Sequence, residues 1–373
     1  MPVDAVSPPA APLRSVHTTS FPELLNELGV SLAVTTYQAG KLVLLREDGG
    51  TLNTHFRAFA RPMGLAVDRG RMAVGTATEI WDFHNVPEVA ARLEPAGRYD
   101  ACFLPRSAHF TGDILVHEMA WAGPEVWVVN TRFSCLCTLD GVHSFVPRWR
   151  PPFVTALAAE DRCHLNGLGL CDGRPAWVTA LGVTDTARGW RANKRDGGVL
   201  LSVTSGEVVA RGLSMPHSPR WHGGRLWVLE SGSGTLGIVD PAAGRYQPVA
   251  GLPGFTRGLD FAGKYAFVGL SQVRETAVFN GLPITERSER SCGVWAVDLT
   301  SGRIAGFVRF EDALQEIFAV QVLPEICFPD LVNDDKRILA DSFVLPDEAS
   351  FVAPVAFSDD VTQASGDSPS RVE

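Results

Sequence analysis

The sequence predicts an all-β chain folded as a six-bladed β-propeller, and three observations carry that expectation. Five segments repeat one grammar of apolar strand, Gly or Asp turn, and second strand built around an aromatic or Met: RPMGLAVDRGRMAVGTATEIWDF, HEMAWAGPEVWVVNTRFSCLCTLD, NGLGLCDGRPAWVTALG, HSPRWHGGRLWVLESGSGTLGIVD and RGLDFAGKYAFVGLSQ. Their second strands centre on Met72, Trp127, Trp177, Trp227 and Phe267, spaced by 55, 50, 50 and 40 residues, the size of a four-stranded blade with variable loops. The third observation lies at the ends. SLAVTTYQAGKLVLL and LNTHFRAF supply second, third and fourth strands without a first, and IFAVQVLP supplies a first strand with nothing after it. Pairing them closes a ring of six and removes the exposed sheet edges that invite aggregation. Two stacked β-sandwiches would account for the strands but not for these half-blades.

In chain order, MPVDAVSPPAAPLRS has the Pro/Ala composition of a disordered arm, taken to span residues 1–20. The propeller is expected over 21–346, with the completed blade counted as blade one. Blade four carries a long insertion, GVTDTARGWRANKRDGG, between its second and third strands. Blade five opens on PHSPRW, where prolines stiffen the entry turn and are expected to precede the paired region, with Trp221 beginning the packed strand. EDALQEIF, residues 311–318, is expected as one or two helical turns feeding the closing strand. The Ser-rich acidic tail 347–373 is expected to be disordered.

Bulk composition narrows the function classes. A net charge of −9 opposes nonspecific binding to nucleic acid or anionic membrane. No run approaches the ~18 apolar residues of a membrane span. The N-terminus has neither the basic nor the apolar region of a secretory signal, and seven cysteines, an odd number, suit a reducing compartment, so the cytoplasm is expected. Cys135 and Cys137 lie on one strand face as either a metal pair or small buried hydrophobes; the second reading is favoured.

Blade topology converts position into geography. Successive strands run antiparallel, so the turn entering each first strand and the turn joining second to third share one end of the ring. The six entry positions are Met63, His117, Asn166, His217, Arg257 and Phe318, four of them polar where a mere turn could be bland. His164 precedes Asn166 by two residues and leans over the same rim. His117, His164 and His217 from different blades form a candidate site for Zn²⁺, Fe²⁺ or Cu²⁺, with Glu118 or Glu316 as an oxygen ligand. Without a metal, His117, His217 and Glu118 are candidate acid–base groups. Second-to-third turns add Tyr37, Arg132, Gln272 and Arg274, and the blade-four insertion adds Trp190, Arg191 and Lys194. Arg and Lys outnumber Asp and Glu among these elements although the whole chain is acidic. Guanidinium forks beside an aromatic face suit a carboxylate or phosphate, with Asn166, Arg257, Arg132, Trp190, Arg191, Lys194, Gln272 and Arg274 as candidate ligand contacts. His109, eight residues before His117, is read as part of a loop over the mouth.

The ordered motifs HEMAW, HLNGLGL, MPHSPRWH, LPGFTRGLDF, VGLSQVRE, CGVWAVDL and EIFAVQVLP resemble those of a bacterial family of conserved hypothetical β-propeller proteins over about residues 20 to 346. That resemblance implies architecture and no reaction. More distantly, the chain is similar to gluconolactonase-like and NHL-repeat six-bladed propellers, which implies a ligand or metal at the axial mouth. Gluconolactonase-like enzymes use an acidic set with Asn and Asp for their metal, whereas this mouth offers His, Asn and Arg. The functional expectation is an axial site for an anionic small molecule or peptide carboxylate, with or without a divalent metal and catalysis. The alternative is a noncatalytic recognition or protein-interaction propeller. Neither nucleic acid nor membrane is an expected partner.

Overall fold

A computed structural model describes residues 13–273, 280–311 and 313–345. Six sheets stand in a ring, antiparallel throughout except for a short strand, Pro329–Leu331, that pairs parallel at the outer edge of blade two, and the innermost strand of each packs against that of the next until the circle closes. Blade one pairs the late strand Ala319–Pro324 with Val30–Thr36, followed outward by Lys41–Asp48 and Thr51–Ala58. The closing register is regular, from Val30 opposite Pro324 to Thr35 opposite Ala319. Six blades and their mode of closure are thus as the half-blades require. The inner strands of blades two to six are Leu65–Asp68, Val116–Ala122, Leu165–Cys171, Pro216–His222 and Phe255–Ala262.

Each sheet is apolar on both faces near the axis because both faces meet neighbouring sheets. Leu44, Phe83 and Val128, from blades one, two and three, belong to one buried cluster, and Trp227, Val268 and Trp295 link blades five and six. At the seam of blades four and five even a methyl group is excluded. A Cβ on Gly167 would lie 2.5 Å from Pro219 Cδ, and one on Gly169 would lie 2.7 Å from the Pro219 carbonyl oxygen.

Three local expectations change. Ser15–His17, placed in the N-terminal arm by composition, pairs with the outer strand Arg303–Phe310 of blade six. Residues 20–28 then form a helix whose Phe21, Leu24 and Leu25 are buried, and Gly29, in the left-handed region, ends it. The apolar spacing 21, 24, 25, 28 is helical, so that sequence carries the signal. EDALQEIF, by contrast, has no helix among its described residues; its Leu314, Ile317 and Phe318 are buried, and its backbone bonds to Thr35, Ser271 and Gln272 of other segments instead of to itself. In blade five, pairing begins at Pro216 rather than after the prolines. Pro219 instead falls in a bulge between His217 and Arg220, where it disrupts no ladder bond.

The tail 347–373 and most of the arm, residues 1–12, lie outside the described residues. No described helix is long and apolar enough to cross a membrane.

Candidate functional site

Bulges recur at the strand entries. Register shifts fall at His117 and Glu118 in blade three, Asn166 in blade four, Ser218 and Pro219 in blade five, and Arg257 and Gly258 in blade six. A bulge re-aims side chains at the end of a strand. A second irregularity sits two residues ahead of the entry position: Arg61, Leu115, His164 and Met215 all have left-handed backbone, with φ between 48° and 52°. Such φ values in residues other than glycine cost free energy and cluster where function holds them.

These two registers build the walls of one axial cavity of about 410 Å³. Met63, His117, His217, Arg257 and Phe318 come from the entry positions, and Arg61, Leu115, His164, Met215 and Phe255 from two residues earlier. Tyr37, Asp161, Trp190 and Arg191 complete the lining. The structure thereby brings together six of the candidate ligand, metal or catalytic residues from four blades: His117, His164, His217 and Arg257, with Trp190 and Arg191 of the blade-four insertion.

The imidazoles are held in defined states. Thr131 Oγ1 donates to the Leu165 carbonyl at 2.6 Å, which spends its only proton. His117 Nδ1, 2.9 Å from the same oxygen, must therefore be the donor, leaving Nε2 as a lone pair. Arg257 Nη2 fills that lone pair at 2.6 Å, and its guanidinium lies 3.7 Å over the Phe318 ring. His217 repeats the device: Ser231 donates to the Thr256 carbonyl, so His217 Nδ1 donates to Ser231 Oγ and the Met215 carbonyl, both at 2.9 Å. Enclosure by protein, reinforced by the Arg257 charge, holds both imidazoles well below their ordinary 6.5, so they are neutral at pH 7. His117 and His217 stack at 6.1 Å between centroids, and His164 meets His117 edge-on at 4.8 Å.

A pH dependence follows from these depressed values. Below about 6.5 the unfolded chain takes up protons that the native imidazoles refuse, so stability falls as pH falls, by up to about 1.4 kcal/mol per pH unit for each group. Urea midpoints measured from pH 7.5 to 5 are expected to decline less steeply in His217→Gln than in the wild type; parallel lines would show that His217 is protonated in the native state.

Arg257 is the principal charge. Burial lowers its pKa, with Tyr37, Glu316 and Glu118 only partly offsetting the cost. Among the described residues no carboxylate lies within salt-bridge distance of it. Arg61 and Arg191 also line the cavity, against the single carboxylate of Asp161. Asp161 accepts from Trp190 Nε1 at 3.0 Å and faces His164 Nδ1 at 3.0 Å through both oxygens.

The cation expected on His117, His164 and His217 does not fit this donor set. Both His117 nitrogens are engaged, one by a guanidinium whose charge opposes a metal ion. Among the described residues no three His, Cys, Asp or Glu side chains are grouped to hold one. Cys135 and Cys137 are buried thiols whose pKa is pushed up by burial, that of Cys135 to about 12.

Other candidates stand away from the cavity. Glu118, expected as an acid–base or metal ligand, faces the inner-strand interior, accepting from Leu168 N at 2.9 Å and pairing with Arg220. Asn166 is buried: Thr179 donates to its Oδ1 and its Nδ2 donates to the Pro216 carbonyl of blade five. Arg132 is neutralised by Asp113 at 2.8 Å. Lys194 and Gln272 are partly buried outside the lining, Gln272 N donating to the Gln315 carbonyl. His109 belongs to the fourth strand of blade two, Ala101–Phe110, and contacts the Ser144 carbonyl rather than covering the mouth. Arg274 lies outside the described residues.

Asn166 belongs to a set of latches between blades that the sequence reading assigned to chemistry or passed over. Thr35, Thr131, Ser231 and Ser271, near the ends of second strands, each donate to a carbonyl at the next blade's entry: Met63, Leu165, Thr256 and Ile317. Arg61, Leu115, Met215, Phe255 and Asp161 are the lining residues that sequence reasoning missed. For the first four the signal was the fixed offset of two residues before each entry; Asp161, five before Asn166, has none.

Fold and mouth together define a six-bladed β-propeller whose axial cavity is lined by histidine, arginine and apolar side chains. The chain belongs to the family described as Domain of unknown function (DUF4915), which matches residues 19–332. No curated protein sequence matches the chain. Among solved structures, a chain of the nidogen/laminin complex is similar in fold, with TM-score 0.52 and 13% identity over 80% of this chain and 100% of that one. Lower scores relate it to a protein of unknown function from Bacteroides caccae (TM-score 0.46, 8% identity, 79% of this chain and 98% of that one) and to virginiamycin B lyase from Staphylococcus aureus (TM-score 0.38, 10% identity, 74% and 75%).

Proposed function

We propose that the axial cavity binds a small organic anion, a carboxylate carried on an apolar or aromatic body. The observation that carries this reading is Arg257, a partly buried guanidinium without a carboxylate in contact among the described residues. A cation so placed is costly until an anion joins it, and its planar fork is matched to a carboxylate. Met63, Leu115, Met215, Phe255 and Phe318 make part of the wall apolar, which favours a ligand with a hydrophobic portion over a bare inorganic ion. About 410 Å³ accommodates a metabolite-sized molecule. The same chemistry would accept a peptide C-terminus only if its chain could leave through the mouth.

Thermal-shift titration with benzoate, inorganic phosphate and benzamide tests this. Benzoate is expected to raise the melting temperature, phosphate less, and the neutral isostere benzamide not at all. Equal shifts with benzoate and benzamide would remove the role of charge.

A further inference from the structure

Proton transfer is the chemistry for which the cavity is equipped. Among the described residues its lining contains no serine, threonine, cysteine or lysine, and the hydroxyl it does contain is the phenol of Tyr37. It does contain an imidazole–carboxylate pair. His164 Nδ1 is 3.0 Å from each Asp161 oxygen, and Trp190 Nε1 holds Asp161 Oδ2 at the same distance while the Trp190 ring packs against His164 at 4.4 Å between centroids. Asp161 and His164 both adopt left-handed backbone, with φ of 50° each, which turns the two side chains toward each other across three residues. Because an ionised carboxylate only accepts, the Nδ1 of His164 carries a proton, and the neutral ring then has its lone pair on Nε2. His164 differs in this from His117, whose Nε2 is filled by Arg257.

Resting on the anion reading above, we infer that His164 is a general base that removes a proton from the carbon next to the bound ligand's carboxylate, with Asp161 as its positioning residue. The C–H bond breaks as an N–H bond forms at Nε2. The C–H electron pair moves into the carboxylate, whose oxygens face Arg257, and the new imidazolium is balanced by Asp161. No oxidant, reductant or second substrate is needed. The ligand class is therefore a carboxylate bearing a removable α-hydrogen.

Two measurements on the full chain test the dyad without knowledge of the natural ligand. Ring ¹⁵N spectra of histidine-labelled protein are expected to show His164 as the Nδ1–H tautomer. Diethylpyrocarbonate, which attacks an unprotonated imidazole nitrogen, is expected to modify His164 faster than His117, as read by peptide mass. Asp161→Asn, whose amide can donate to Nδ1 and reverse the tautomer, should slow that modification at least about tenfold, and Asp161→Glu should restore part of it. An Nε2–H tautomer in the wild type overturns the inference even if Asp161→Asn fails to fold, and so does an unchanged rate in folded Asp161→Asn. Benzoate is expected to protect His164 in the wild type and not in Arg257→Ala. Absence of protection with tautomer and Asp161 dependence intact counts against the anion reading and leaves the dyad standing.

Discussion

Arg257→Met is expected to weaken benzoate binding about 10- to 150-fold, the equivalent of the roughly 1.5–3 kcal/mol of a hydrogen bond to a charged group, while leaving the ligand-free protein as stable as the wild type or more so. The two effects have one cause. Arg257 sits over Phe318 with its Nη2 on His117 and no carboxylate in contact among the described residues, so the folded state bears the desolvation of a guanidinium without an ion pair to offset it. Methionine keeps the apolar stem against Phe318 and removes the charge. His117 Nε2 loses its donor but still opens onto a cavity that water can enter. Relief of the Arg257 charge should also let the His117 and His217 imidazoles rise toward their ordinary value, since that charge contributes to both depressions. Isothermal titration and thermal melts of the same two proteins check this; a melting temperature several degrees lower together with undiminished benzoate affinity would show that Arg257 is a structural cation.

The fold was legible in the sequence because a propeller repeats and its two ends are complementary: IFAVQVLP and SLAVTTYQ are a first and a second strand with no other partners. The mouth was legible for a related reason, since position in the repeat determines which end of the ring a residue occupies. Depth and direction were harder to read. His117 and Glu118 are neighbours at one bulge, yet one lines the cavity and the other pairs with Arg220 between the blades. Alternation along a strand predicts that they diverge, but not which of them meets the mouth. Asn166 looks like a ligand contact by its place in the repeat, and its amide instead joins Thr179 to the Pro216 carbonyl. Arg132 looks like a free cation until the fold brings Asp113 beside it, nineteen residues away in sequence. Partners set by tertiary structure decide whether a polar residue is spent on architecture or left for chemistry, and a single sequence does not reveal partners. The residues two positions before each entry were readable in principle: Arg61, Leu115, His164, Met215 and Phe255 share an offset, but their identities are dissimilar. What unites most of them is a left-handed φ that leaves no consistent residue type behind.

Glu118→Ala is expected to be the most damaging single substitution near the axis, costing about 3–5 kcal/mol, the usual penalty for stripping one partner from a buried ion pair. Glu118 of blade three accepts from Leu168 N of blade four and from Arg220 of blade five, and Arg220 Nη1 returns to the Leu168 carbonyl at 2.9 Å. Both side chains are largely shielded, at 9% and 16% exposure, so the Arg220 charge left behind would have little water to turn to. Three blades would lose a shared clasp at once. Replacing both groups with apolar side chains, as in Glu118→Leu with Arg220→Met, should recover most of the loss because the desolvation penalty goes with the charges. Urea denaturation of the wild type, both single variants and the double variant yields the coupling directly. If the single and double variants lose stability additively, the pair contributes no clasp; if Glu118→Ala is stable yet no longer binds benzoate, Glu118 belongs to the chemistry of the mouth after all.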